Sequence, residues 1–382
     1  MYLSPDLNLT KMYKSFKHNH PEATISKTLY RKIFKTFNLA FGQPRSDTCK
    51  QCDLLYIKLK AAGNDEERRA IQNESDLHHT KAVQGYGALK LDTSKAKQNP
   101  NIIVLCIDLQ QVLFAPTLHH SDVFYQWQLS CYNLAIHNMG TGRASMHLWY
   151  EVLAGRGASE ISSCLMKYIE LNFRPLADDE ERKLIIWSDR CVGQNNNWTL
   201  LNTCCYLVQS RYFSEANQKF LVSDHSFLPC DRDFALIEKK KKTSKVYVPS
   251  QWKYVIADAK VNEPFSIVEM RQEDLKDLQE IERHLLKTKN KNLKVTKNLW
   301  MKYSIDDPFC IYARQTHNTL HPWQKHTVYT APSRSLPQPH QLPPEHTSLL
   351  PISQAKKADL LRMVPFLEPE YRGFYESLPS IP

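Results

Sequence analysis

Carboxylates recur along the chain where folding could gather them. Asp108 stands inside an apolar run, Ile102-Ile103-Val104-Leu105-Cys106-Ile107-Asp108, where an unpaired buried acid is costly. Asp189 closes another, Leu184-Ile185-Ile186-Trp187-Ser188-Asp189. Asp231, Asp233 and Glu238 follow in an acid-rich stretch that runs into Lys239, Lys240, Lys241 and Lys242, with Asp224 and His225 just ahead. Carboxylates collected from separate elements suit magnesium or manganese, which take oxygen ligands. Two such ions about 3.5–4 Å apart can stabilise the attacking and leaving oxygens of a phosphoryl transfer. Asp108, Asp189 and Asp231 are the candidate magnesium ligands; Asp233, Glu238 and His225 are further catalytic candidates. Asp231 and Asp233 cannot share one site on a helix, whereas Glu238, seven residues after Asp231, lies on its face. Plainer readings stand beside these: Asp189 precedes a Gly/Asn-rich turn that explains an acid without catalysis, and His225 fits a loop equally well.

A second group has softer chemistry. Cys49 and Cys52 form a Cys-x-x-Cys, followed by helical pieces over 54–62 and 65–91 that Gly63-Asn64 divides. Folded as an antiparallel hairpin at ~1.5 Å per residue, the return helix passes Cys52 about a dozen residues after the turn. That brings His78 and His79 near, pointing in different directions, so that at most one of them binds. Cys49, Cys52 and His78 suit zinc, whose structural sites take four ligands, and the sequence does not show the fourth. A redox pair and ordinary helix-start cysteines are the competing readings.

The acids need elements to position them. Ile102–Leu109, 112–115 and 126–136 read as strands, 158–169 as an amphipathic helix, 184–187 as a strand and 198–208 as a helix. Phe220-Leu221-Val222 reads as a last strand before the acid-bearing helix. The order β-β-β-α-β-α-β-α predicts an α/β fold: a ribonuclease-H-like mixed sheet flanked by helices. An N-terminal helical module with zinc-binding character precedes it, including a helical stretch over 25–41, and a C-terminal α+β extension follows. In that extension 246–248, 252–257 and 265–268 read as strands and 272–286 as a helix. The predicted divisions are 1–98, 99–242, 243–328, a proline-rich linker over 329–350, and a docked helix and tail over 351–382.

The 382 residues can bury a large core, and the +10 net charge favours a polyanionic partner. No run approaches the ~20 apolar residues of a membrane span, and the N-terminus does not read as a signal peptide. The cysteines are scattered, several within apolar runs, as reduced intracellular thiols would be. Lys239, Lys240, Lys241, Lys242, Lys289 and Lys291 are the candidate nucleic-acid contacts, although such runs also serve as solvated loops. A homo-oligomer is compatible with the sequence.

These residues resemble an uncharacterised family of ribonuclease-H-like, transposon-derived proteins of animal genomes, known mostly as a domain of unknown function. The likeness rests on Pro44 to Asp53 with Leu77-His78, and on Asp108-Leu109-Gln110-Gln111 with Ala115-Pro116. It continues through Tyr132 to His137, Arg156 to Ile161, Trp187-Ser188-Asp189 with Gly193-Gln194-Asn195, and His225 to Phe234. Together these cover about residues 38 to 375. The chain departs from the pattern at Arg190 and Asp224, and an arginine there would supply charge otherwise supplied by a metal. The resemblance implies transposase ancestry, DNA as partner, strand cleavage or transfer with magnesium or manganese, and nuclear residence, with the cytoplasm as the other compartment. Two other readings remain: a domesticated or truncated copy that binds nucleic acid without catalysis, and a zinc-stapled interaction protein. Divalent-ion binding separates the first, and salt-dependent nucleic-acid affinity separates the second.

Overall fold

The break at Gly63-Asn64 turns one helical stretch into two. Asn64 Oδ1 accepts from Glu67 N (2.8 Å) and Glu67 Oε2 from Gly63 N (3.0 Å), a reciprocal cap that starts a new helix. The computed structural model describes residues 2–3, 7–37, 39–41, 49–118, 126–222, 227–285, 293–329 and 336–381. Its compact units are Met1–Ser75 and Asp76–Pro382, divided within a single unbroken helix.

In the first unit, strand β1 (Tyr2–Leu3) precedes helices α1 (Leu9–Asn19) and α2 (Lys27–Thr36), which meet through Tyr13, Phe16 and Tyr30. Asn8 and Ser26 cap them by accepting from Lys11 N and Leu29 N. The helix expected over 25–41 is shorter because Phe41 belongs to strand β2 (Ala40–Phe41), paired parallel with β1. Helix α3 (Lys50–Ala61) follows, then α4 (Asp65–Gln98), whose first turn carries Asp65, Glu66 and Glu67 against the helix dipole.

The second unit is α/β, a mixed sheet flanked by helices. Its first strands are β3 (Ile102–Leu109), β4 (Leu113–Ala115), β5 (Leu129–Asn138) and β6 (Ala144–Tyr150), followed by helix α5 (Ala158–Asn172). Next come β7 (Lys183–Ser188), α6 (Trp198–Gln209), β8 (Glu215–Phe220), α7 (Pro229–Lys241), α8 (Trp252–Ala257) and β9 (Ser266–Glu269). Helix α9 (Gln279–Leu285), strands β10 (Trp300–Ser304), β11 (Cys310–Arg314) and β12 (Gln324–Thr327), and helices α10 (Gln354–Met363) and α11 (Pro369–Glu376) complete it. The strand order is β12-β11-β10-β8-β7-β3-β5-β6-β9, with β4 paired to β5. β3–β7, β7–β8 and β6–β9 are parallel and the other pairs antiparallel. Alternation decides what lies on each face. Ile103, Leu105 and Ile107 join Leu184 and Ile186 under α5 and α6, while Val104, Cys106, Ile185 and Trp187 face α4, α7 and α8.

Several elements differ from their expected form. β6 was not foreseen, so four strands, one of them three residues long, precede α5. The last strand of the α/β alternation is Glu215–Phe220 rather than 220–222: its Asn217, Gln218 and Lys219 are polar yet buried. Residues 252–257 are helical, a short apolar run whose period cannot distinguish helix from strand. Val246 is not in a strand but exchanges backbone and hydroxyl bonds with Thr117. Residues 272–286 divide into a 3-10 turn, Gln272–Asp274, and α9. The proline-rich stretch is packed in its described part: Leu342 is buried, Tyr206 Oη donates to Pro337 O (2.6 Å), and Glu345 N donates to Leu275 O (2.7 Å). The C-terminal helices pack Leu360, Met363, Leu367 and Tyr375 against Leu129, Val152 and Val248. Lys357 Nζ ties this end down, donating to the carbonyls of Tyr375, Glu376 and Leu378 at 2.6–2.8 Å.

Candidate active site

Parallel register brings two of the predicted acids level. β3 and β7 align Cys106 with Trp187; two residues farther along each chain stand Asp108 and Asp189, on neighbouring strands and the same face. Helix α7 arrives over that end of the sheet, held by Cys230 Sγ donating to Cys106 O (3.3 Å). Pro229 opens the helix and Asp231 sits in its first turn, accepting from Leu228 N (2.7 Å). Burial first, then the charges of Asp189 and Asp231, push the Asp108 carboxyl up to about 7. Asp231 is also raised, by burial and by Asp189, against the lowering effect of the Leu228 N–H. The three carboxylates therefore feel one another in a partly dry place.

Each keeps an oxygen in reserve. Asp108 Oδ1 accepts from Leu109 N (2.9 Å), and Asp189 Oδ1 from Cys191 N (3.1 Å) and Asn195 Nδ2 (2.6 Å). The bond to Asp231 falls on Oδ2. The remaining oxygen of each accepts no hydrogen bond among the described residues. The competitors for third place are engaged elsewhere. Asp233 is buried against His137 Nδ1 at 2.7 Å, and Glu238 accepts from Gln110 Nε2 (2.8 Å) and pairs with Lys241. Arg190 turns its guanidinium to Thr296 O (2.6 Å).

His225, Lys289 and Lys291 lie outside the described residues, as does Asp224. Lys240 pairs with Asp258 at 3.4 Å and Lys241 with Glu238, while Lys239 and Lys242 are exposed at the end of α7. Asn195, His137 and Gln110 had no role assigned from sequence, although each lies in a motif already singled out. The Gly193-Gln194-Asn195 turn was the available signal, because an amide six residues after an acid can fold back onto it.

The cysteine group forms as the hairpin arithmetic requires. Ligand atoms of Cys49, Cys52 and His78 lie within 4.8 Å of one another, and this group could hold a metal such as zinc. Among the described residues no other trio of His, Cys, Asp or Glu is so tightly drawn, so Asp108, Asp189 and Asp231 form a wider set. No described helix is long and apolar enough to cross a membrane. No curated protein and no solved structure matches the chain. Residues 125–315, half of the chain, match the family model described as "Domain of unknown function (DUF7869)", and the chain belongs to that family.

Proposed function

We propose that this chain is a transposon-derived protein with a ribonuclease-H-like core that cleaves or joins DNA strands by metal-dependent phosphoryl transfer. The observation that carries this reading is the convergence of Asp108, Asp189 and Asp231 from β3, the end of β7 and the first turn of α7, each with an oxygen to spare. The order β6-β5-β3-β7-β8, antiparallel on one side of β3 and parallel on the other, supports the fold half of it. Partly buried, mutually repelling carboxylates fit a divalent cation, which would offset the burial and the repulsion that together raise Asp108. Magnesium or manganese would supply charge for the attacking and leaving oxygens. The chain's own part is positioning: Asn195 orients Asp189, Leu228 N orients Asp231, and the β3–β7 ladder fixes Asp108 beside Asp189.

The test is cleavage of a labelled DNA duplex in magnesium or manganese by the wild type, Asp108→Ala and Asp189→Ala. Each variant should lose at least ~10³-fold in rate, about 4 kcal/mol of transition-state stabilisation. Cleavage that survives in both folded variants would sink the assignment. A wild type inert with either ion would leave at most a binding protein.

A further inference from the structure

The face that bears Asp108 and Asp189 continues across β8, β10, β11 and β12, where its chemistry changes sign. Register sets Lys219, Trp300 and Arg314 side by side in one row, and Lys302, Tyr312 and Lys325 in the next. Each row runs cation, ring, cation. Lys219 Nζ lies 3.8 Å from the Trp300 ring centre, Arg314 Cζ 4.0 Å from that of Trp323, and Lys302 Nζ 5.1 Å from that of Tyr312. Lys302 and Arg314 have no carboxylate partner among the described residues, and Arg314 Nε has no hydrogen-bond partner.

Helix α4 borders this face without filling the space beside it. At Gly85 an added Cβ would stand 3.2 Å from Leu221 Cδ2, so the helix is close there. At Gly87 a Cβ would meet nothing within 4 Å. Gly87 lines a cavity of about 700 Å³ whose wall includes Lys95, Lys219, Trp300 and His317 together with the acids Asp92, paired with Lys219, and Glu215. A second cavity of about 470 Å³ shares Gln84 with the first. It is lined by two cations, Lys81 and Arg314, by the amides of Gln84, Gln315, Asn318 and Gln324, and by no carboxylate. Unpaired cations, indole faces and amide groups, with no acid in the second cavity, complement a phosphate backbone whose bases are free to stack.

We propose that this face binds single-stranded nucleic acid, with bases against Trp300 and Trp323 and phosphates at Arg314, Lys302 and Lys81. Paired bases would hide the surfaces that indoles require, which favours a single strand over a duplex. β10 lies three strands from β3, roughly 14 Å at the usual strand spacing, so a bound strand could run toward the carboxylates. The inference nevertheless needs neither acid nor metal.

Fluorescence anisotropy of the full chain with labelled single-stranded and duplex oligonucleotides, in buffer without magnesium or manganese, tests it. The single strand should bind more tightly than the duplex, and Trp323→Ala should weaken it at least about 5-fold, as loss of one stacked base does. Arg314→Gln should lower the salt dependence of binding. Wild-type affinity in both Trp323→Ala and Arg314→Gln, or a preference for duplex or for acidic peptide, would overturn the proposal. If either variant fails to fold, Lys81→Glu with Lys95→Glu on the exposed side of α4 replaces it. These should weaken the single strand too, and unchanged affinity would be equally fatal. A wild type that binds the single strand but cleaves no DNA with either ion removes only the acid-site reading; a Trp323→Ala or Arg314→Gln chain that loses the single strand yet cleaves duplex at the wild-type rate marks the face as a separate site.

Discussion

Two acids meet the same face of the sheet in opposite company. Asp92, from α4, is buried with Lys219 Nζ at 2.7 Å and Trp187 Nε1 at 3.0 Å on the same oxygen. Asp108, near the end of β3, has other carboxylates for neighbours and, among the described residues, only a backbone N–H to help it. The first is compensated, at the cost of desolvating two charges, and burial lowers Lys219 below its ordinary value. The second is left wanting a cation. An acid that the fold has paired is part of the framework; an acid crowded by its own kind is a demand for something from outside.

That contrast can be attacked from both ends. The largest effect should come from Lys219→Met, which strands the Asp92 charge and should cost about 3–5 kcal/mol in urea unfolding. A loss below about 1 kcal/mol would mean that the pair is no framework element. The Asp108→Asn variant should go the other way. Because its folded value is about 7 against an ordinary 3.8, Asp108 holds a proton in the folded state that the unfolded chain has released. Its contribution therefore falls as pH rises from about 4 to about 7, by at most about 1.4 kcal/mol per unit. Near pH 8 the Asn variant should be more stable than wild type by up to about 4 kcal/mol, and the advantage should vanish near pH 4. An advantage independent of pH would refute the crowding. Trp187→Phe, which removes one bond to Asp92, should cost about 1.5 kcal/mol. Asn195→Ala, which frees Asp189, should cost only about 1 kcal/mol in thermal melting, while lowering divalent-ion affinity measured by calorimetry.

How legible each region was follows from how its residues announce themselves. β3 and β7 are mostly apolar runs, the mark of strands covered on both faces, and each leads to an acid, Asp108 one residue before the end of β3 and Asp189 just after β7, that apolar patterning cannot explain. β8 hid because the polar groups of Asn217, Gln218 and Lys219 find partners one by one: Asn217 with Trp300 Nε1 and Glu215, Gln218 Nε2 with Asn195 O, and Lys219 with Asp92. Little local says so, since every one of those partners except Glu215 lies far along the chain or across the sheet. β10 to β12 failed for a related reason. In β10 and β11 the inward residues are Met301, Tyr303, Ile311 and Ala313, but the outward ones are Trp300, Lys302, Tyr312 and Arg314, and β12 carries no apolar residue, so the alternation is blurred. Among the acids, spacing alone left Asp231, Asp233 and Glu238 in contention, and only the side chains opposite them separate their surroundings.

Lys357 carries a consequence of a practical kind. All three of its ammonium donors are spent on carbonyls of the closing turn, so its nitrogen has no lone pair to offer while those bonds hold. Amine-reactive reagents should therefore label it slowly, at the rate at which the last helix peels away. In this chain one lysine can act as a clock for the opening of its C-terminal end.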